Sequence, residues 1–252
     1  MSDEAEILKH RALELAKKSH GSGIFLFTDF LGLADQSAIS EIYRELNAYR
    51  YTKFGGAEGA ERIMIRFGDP EELGYELPFP IVTLLISPVS PKFAERLNHR
   101  DFLGALMNLG IERSKLGDIV LRDGEAYLFA REEIAEYIKE SLTRVRHTDV
   151  RVSLAECIPD GEIYRTEPRR IVLNGERVDA VIAKVYNLSR DEAQRLFAGR
   201  LVFINGKEIS SPSHTPKAND IISVRGYGRM KYIGQESVTK KGKAGVRVDV
   251  FV

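Results

Sequence analysis

Basic and amide side chains recur at short intervals between residues 189 and 207, which read SRDEAQRLFAGRLVFINGK. Five of them have the chemistry of phosphate contacts: Arg190, Gln194, Arg195, Arg200 and Lys207. A guanidinium group can bridge two phosphate oxygens, and a lysine adds a compact positive charge. Clustered side chains of this kind indicate a surface that meets a polyanion.

A short helix must position the first of these side chains. Ser189 and Glu192 have the spacing of a capping box, so we predict that the helix begins at Arg190. Apolar residues at helical spacing give it one buried stripe, which consists of Ala193, Leu196 and Phe197. We expect Gly199 to end this helix, because glycine tolerates a positive φ.

The flanking residues predict a helix–turn–helix followed by a small sheet. Residues 177–188 have helical periodicity, and Arg177 and Lys184 lie seven apart on one side of that helix. The apolar run 201–204 suits a strand, and Asn205-Gly206 is a turn pair typical of hairpins.

The stretch RGYGRMK, residues 225–231, extends the basic patch. Its glycines leave Arg225, Arg229 and Lys231 free to reach phosphates. Tyr227 could stack on an unpaired base, although we favour a packing role in the core. Further along, a predicted hairpin loop carries nonspecific positive charge from Lys240, Lys241 and Lys243.

The net charge of zero conceals an asymmetry along the 252-residue chain. Residues 171–252 hold 14 Lys and Arg against 8 Asp and Glu, a net charge of +6, and the other 170 residues carry −6. Such a bias fits an end of the chain that meets a polyanion, and it equally fits a solvated surface with an accidental excess.

This C-terminal pattern resembles the S4 (alpha-L) RNA-binding domain, named after the fourth small-subunit ribosomal protein. The positions that match are Arg177, Asp179, Ser189, Arg190, Ala193, Gly199, Arg200, Asn205, Gly206, Lys207, Asp220 and Ile222. With the basic positions above, twelve residues are candidates for RNA binding: Arg177, Lys184, Ser189, Arg190, Gln194, Arg195, Arg200, Asn205, Lys207, Arg225, Arg229 and Lys231.

The central part of the chain alternates in the order strand, helix, strand, strand, helix, strand. The strands and helices are expected near 81–87, 100–110, 117–130 as a hairpin, 131–142 and 149–156. This order is the ferredoxin-like plan that RNA-recognition domains share. Tyr127 and Phe129 alternate as base-stacking aromatics would, but the basic and glycine positions around them are missing, so core packing is favoured.

Residues 1–75 predict a smaller α/β unit, with helices near 4–19 and 36–47 and two strands around Gly55-Gly56. That glycine pair lacks the Gly-Lys-Ser/Thr of a phosphate-binding loop, so we interpret it as a turn. The predicted fold is therefore α+β, with an N-terminal α/β unit at 1–76, a ferredoxin-like domain at 77–160 and an S4 domain at 171–252.

A second resemblance covers nearly the whole chain. TDFL at 28–31, FGGAEGAER at 54–62, HRDFLGALMNLGIERSKLGDI at 99–119 and SVRGYGR at 223–229 are similar to bacterial YlmH-like proteins. The resemblance implies an RNA-recognition-like middle domain before an S4 domain. It also implies a ribosome-associated role at the large subunit with peptidyl-tRNA, in rescue of stalled nascent chains.

The main alternative is an RNA-modifying enzyme, since pseudouridine synthases also carry S4 domains. Those need a catalytic aspartate in a separate large domain, whereas Asp179 already belongs to the S4 pattern. The nucleotide-binding signatures of tyrosyl-tRNA synthetase are absent. The five histidines have no metal-ligand spacing, and Cys157 is the single cysteine. We therefore predict no catalytic residue, metal or cofactor.

The expected partners are ribosomal RNA, transfer RNA and the large ribosomal subunit, with no membrane and no DNA. The acidic first residues and the lack of a long apolar run favour a cytoplasmic protein. The acidic body at 1–160 is expected to dock proteins rather than to form a second RNA site.

Overall fold

The computed structural model describes residues 3–155, 164–239 and 242–251. The chain divides into two compact units, Met1–Ile163 and Tyr164–Val252. Cys157, Lys240 and Lys241 lie outside the described residues. None of the described helices is long and apolar enough to cross a membrane.

The first part of the first unit packs helices against a small antiparallel sheet with the strand order β1-β3-β2. Its elements are α1 (Asp3–Ser22), β1 (Leu26–Phe27), α2 (Leu33–Glu41), α3 (Tyr43–Leu46), β2 (Tyr51–Phe54), β3 (Met64–Phe67) and α4 (Pro70–Leu73). The expected helices and strand pair are present. The second helical stretch begins earlier than predicted and is interrupted at Ile42, where the backbone leaves the helical region.

The second part of this unit has the predicted ferredoxin-like order. Its elements are β4 (Ile81–Pro88), α5 (His99–Asn108), β5 (Leu116–Arg122), β6 (Glu125–Arg131), α6 (Ala135–Ser141), β7 (Arg144–Val145) and β8 (Thr148–Leu154). The antiparallel sheet has the order β5-β6-β4-β8-β7, so β4 lies centrally beside β6 and β8. The short β7 was not expected. The predicted boundary at residue 76 falls between the two sheets of one compact unit and stays a prediction.

One face of the five-stranded sheet packs against α5 and α6, and N-terminal residues cover the other face. Phe129 is fully buried on that second face, and Tyr127 is 5% exposed. Gly56 adopts φ +99°, and a Cβ there would lie 2.2 Å from Cδ1 of Phe129. The core-packing role of both aromatic residues is therefore confirmed, and the glycine pair serves close packing.

We expect Gly56→Ala to lower the free energy of unfolding by about 2 kcal/mol or more, because the methyl group clashes with the Phe129 ring at an unfavourable φ. Urea unfolding of the full chain measures the loss. Gly124→Ala is the matched control, since Gly124 has φ +85° and an added methyl group there would meet no atom within 4 Å. Equal losses at the two sites would contradict the close approach.

The second unit is one antiparallel sheet with two helices on one face. Its elements are β9 (Thr166–Leu173), α7 (Val178–Val185), α8 (Arg190–Ala198), β10 (Val202–Ile204), β11 (Lys207–Glu208), β12 (Ile221–Val224), β13 (Gly228–Val238) and β14 (Ala244–Phe251). The strand order is β11-β10-β12-β13-β14-β9. The sheet is larger than predicted, because β9 begins before residue 171 and pairs along the whole of β14.

The end of α8 differs from the prediction. Gly199 is the C-cap residue, but its φ is −78°, and Arg200 has the positive φ of 56°. The Leu201 N–H donates to the Leu196 carbonyl at 3.0 Å, and the Arg200 N–H donates to the Phe197 carbonyl at 3.0 Å. This pair of bonds is a Schellman motif, in which the left-handed residue follows the C-cap. Arg200 therefore occupies the strained position that we assigned to Gly199.

Candidate RNA interface

The two helices of the second unit meet at a tight joint that exposes the start of α8. Asn187 adopts φ 54°, and the Leu188 N–H donates to the Ala183 carbonyl at 2.9 Å. The turn places Arg190 and Gln194 on the exposed side of α8, while the predicted apolar stripe is buried.

The predicted capping box begins α8. The Glu192 N–H donates to Ser189 Oγ at 3.2 Å, and the Ser189 N–H donates to Glu192 Oε2 at 2.8 Å. The Ser189 hydroxyl also donates to the same carboxylate at 2.7 Å. These hydrogen bonds lower the pKa of Glu192. Ser189, proposed as an RNA contact, is therefore committed to starting the helix.

Two of the predicted arginines are paired with carboxylates. Arg177 binds Asp179 with two hydrogen bonds, of 3.0 and 2.8 Å, which raise the pKa of Arg177. Arg200 Nε lies 2.9 Å from both oxygens of Glu208. Both pairs leave part of the guanidinium group exposed to solvent.

The side chains of four predicted residues form no hydrogen bond or ion pair with any other described residue. They are exposed on α7, α8 and β11, and we call them the helix-side group: Lys184, Arg190, Gln194 and Lys207. Lys207 belongs with them because it pairs across the hairpin with Ile204, whose side chain lies in the core beneath the helices. Arg195 is also exposed, and its Nε donates to the Asp191 carbonyl at 3.4 Å.

The hairpin that carries Lys207 is fixed by Asn205. This residue adopts φ 50°, its side-chain oxygen accepts from the Ile221 N–H at 2.9 Å, and its amide donates to Asp220 at 2.8 Å. Asn205, predicted as an RNA contact, therefore joins two turns. Its side chain holds the hairpin that presents Lys207.

The other basic residues lie on the opposite face of the sheet. Met230 and Tyr232 point into the core beneath the helices, so the alternating Arg229 and Lys231 point away from it. Arg225 also lies on this second face, since its guanidinium is 5.0 Å from the centre of the Phe203 ring. The prediction that residues 225–231 extend the basic patch of the helices is therefore wrong, because the two sets of basic residues lie on opposite faces of the sheet.

Arg229 has a structural position within the second unit. Its guanidinium carbon lies 4.4 Å from the centre of the Tyr164 ring and 4.3 Å from that of Phe251. Cation–π contacts of this kind hold the start of the unit against its last strand. This position makes Arg229 a poor candidate for phosphate binding.

Tyr227 is more exposed than we expected. It retains 46% of its accessible surface, and the centre of its ring lies 5.6 Å from that of Tyr186. The expected role in the core is therefore wrong. One side of the ring packs on Tyr186, and exposed surface remains for a stacking partner.

Comparisons with known proteins agree with the two-part organisation. A family model described as "Putative RNA-binding domain in YlmH" matches residues 78–158, and the S4 domain model matches residues 169–222. The "Ribosome-associated protein quality control protein P2" of Bacillus subtilis (strain 168) is 30% identical over 227 residues, covering 86% of this chain and 83% of that protein. The chain belongs to the YlmH-like family. The structure of "Cell division protein ylmH from Streptococcus pneumoniae" has a TM-score of 0.48 and 21% identity, and the match covers 62% of this chain and 93% of that one.

The end of the S4 match separates the predicted residues of this YlmH-like chain into the same two groups as the two faces of the sheet. The helix-side group lies inside the matched range, and Arg225, Arg229 and Lys231 lie after it. The predicted basic residues on the second face of the sheet therefore lie outside the S4 match.

Sequence reasoning missed a contact that anchors the loop before α7. The Tyr232 hydroxyl donates a short hydrogen bond to Glu176. Burial, together with the Glu176 carboxylate, raises the pKa of Tyr232 above its ordinary value. These residues lie 56 positions apart, and nothing in their local sequence indicates the pairing.

In the first unit, a YlmH-like motif forms a buried clamp. Arg62 donates to the carbonyls of Leu116, Phe30 and Arg113 at 2.8, 3.0 and 3.1 Å. Burial lowers the pKa of Arg113 to about 10, and the charge of Arg62 acts in the same direction. Arg62, the last residue of the FGGAEGAER motif, therefore has a structural role in holding these three backbone segments together.

Among the described residues, no group of three or more His, Cys, Asp or Glu side chains could hold a metal ion.

We expect Ser189→Ala to lower the free energy of unfolding by about 1 kcal/mol, because α8 loses its N-cap. Since the pKa of Glu192 is lowered in the folded state, its contribution is present above the ordinary value of 4.5 and is lost as the pH falls through the folded pKa. Urea unfolding at neutral and acidic pH should therefore show a smaller effect in acid. Ser210→Ala, at an exposed loop residue, is the control, and an equal loss there would contradict the capping role.

Proposed function

We propose that this YlmH-like chain is a non-enzymatic protein that binds structured ribosomal and transfer RNA on the ribosome. The proposed site is the large subunit carrying peptidyl-tRNA, and the proposed role is rescue or quality control of stalled translation. Such a role implies a cytoplasmic protein. The observation that carries the proposal is the helix-side group, whose cations form no ion pair with any other described residue of the matched S4 domain.

Charge supports this assignment. The second unit holds 17 Lys and Arg against 9 Asp and Glu, a net charge of +8, and the first unit carries −8. The charge difference between the two parts is larger when the chain is divided at residues 163 and 164, the boundary of the compact units, than when it is divided at residue 171. A basic unit attached to an acidic one favours a single orientation on a polyanion.

The arrangement of the polar groups favours binding over catalysis. Asp179, the first of the two aspartates in the S4 pattern, is 4% exposed and accepts hydrogen bonds from Arg177 and from the Ala180 N–H. A carboxylate held in this way orients an arginine and is not presented to a substrate. The name of the Bacillus subtilis relative, a ribosome-associated quality control protein, supports the cellular role.

We expect Arg190→Ala combined with Lys207→Ala to abolish co-sedimentation of the full chain with large ribosomal subunits, because two phosphate contacts are lost. Binding to purified ribosomal RNA should also become less sensitive to salt. The slope of log K against log salt should fall by about 1.4 to 1.8, since each phosphate contact contributes about 0.7 to 0.9.

The control is Arg170→Ala combined with Lys243→Ala, which removes the same charge from exposed positions elsewhere in the second unit. Retained co-sedimentation of the Arg190/Lys207 variant would overturn the proposed interface. An equal loss in the control would show that net charge, and not this surface, determines binding.

A further inference from the structure

A second cationic surface lies on the first unit, on the side of the five-stranded sheet that carries α5 and α6. An open groove of about 580 Å³ runs along α5, between this helix and the segment from the end of α6 to Arg146. We call it the α5 groove. Arg100, Arg144 and Arg146 line it, and Asp101 is the only acidic residue among the described residues that do so.

The charge of this groove opposes that of its surroundings. The first unit holds 28 Asp and Glu against 20 Lys and Arg. The three arginines meet Asp101 in the lining and Asp149 beside Arg144, so a local excess of one positive charge lies on an acidic body. Such an excess attracts an anion to this place.

The arginines are available to a ligand. The Arg100 side chain forms no hydrogen bond or ion pair with any other described residue. Arg146 lies 3.4 Å from Asp101, and Arg144 lies 3.0 Å from Asp149 in an exposed pair. The Arg144–Asp149 pair is exposed on both sides and is therefore weak, so a phosphate group can replace this carboxylate. Asp101 is largely buried, but the Arg146 side chain is exposed and can share its charge with a phosphate.

The lining of the groove includes a glycine that the packing of the protein does not require. Gly104 lies in the middle of α5, is exposed, and a Cβ there would meet no atom within 4 Å. Glycine is unfavourable inside a helix because of its backbone entropy. A bare helix surface lets an extended ligand approach the backbone closely.

An exposed aromatic residue lies on the loop that leads into α5. The Glu95 N–H donates to Thr148 Oγ1 at 3.1 Å, which holds this loop against the β7–β8 hairpin that carries Arg144 and Arg146. Phe93 is 88% exposed, and Lys92 and Arg96 flank it. Aromatic rings among cations are typical of surfaces that bind single-stranded nucleic acid.

We propose that the α5 groove binds the phosphate backbone of a single-stranded RNA segment and that Phe93 stacks on one of its bases. This site is separate from the helix-side group and lies in the other unit. It replaces our expectation that the acidic body has no RNA site. The description of residues 78–158 as a putative RNA-binding domain is consistent with it, but assigns no surface.

The probe is a fluorescein-labelled oligouridylate, and the protein is the full chain carrying Arg190→Ala and Lys207→Ala, so that the helix-side group contributes little. Adding Arg100→Gln and Arg146→Gln should weaken binding about tenfold and reduce the salt slope by about 1.4. Adding Phe93→Ala should weaken binding by about tenfold with the slope unchanged, because stacking releases no counterions.

Arg11→Gln combined with Arg44→Gln is the matched control, since both arginines are exposed on α1 and α3 and the charge change is equal.

Gly104→Ala should raise the unfolding temperature and still weaken binding, which a purely structural role would not produce. Unchanged affinity in the Arg100/Arg146 variant would overturn the proposal. An equal loss in the control, or equally strong competition by oligoglutamate, would also overturn it. Loss of ribosome binding through the helix-side group is measured separately, so either proposal can fail alone.

Discussion

Each helix of the second unit ends in the same type of backbone hydrogen bond around a left-handed residue. Leu188 bonds back to Ala183 around Asn187, and Leu201 bonds back to Leu196 around Arg200. The first of these bonds determines the direction in which α8 leaves the joint. The second turns the chain from α8 into β10. The exposed side of α8 and the hairpin bearing Lys207 therefore follow from two short backbone motifs, and the capping box only has to begin the helix between them.

The first unit uses a ferredoxin-like sheet in an unusual way. In RNA-recognition domains the open sheet face stacks bases, whereas here Gly56 and its neighbours cover Phe129. The three arginines of the α5 groove lie on the helix side of the sheet, and the exposed Phe93 lies on the loop that leads into α5. A shared fold thus says little about which surface binds, because the site depends on what the rest of the chain covers.

Much of the local structure was predictable because it depends on neighbouring residues. The capping box, the Asn205-Gly206 turn and the order of elements in the central region all follow from short patterns. The strand alternation at residues 229–232 also indicated that Arg229 and Lys231 face away from the core. The prediction nevertheless placed them on the same surface as the basic residues of the helices. The pairing of Arg200 with Glu208 and of Tyr232 with Glu176 depends on strand register and loop position, which local sequence does not specify.

The cation–π contacts of Arg229 determine where the two ends of the second unit lie. They bring Tyr164 and Phe251 to one guanidinium, and β9 pairs with β14 from Thr166 opposite Phe251 to Leu173 opposite Ala244. The entry and exit of the unit are therefore adjacent in space. Adjacent ends are the geometry that insertion into a surface loop, or circular permutation with a short linker, requires, because neither change has to span the sheet.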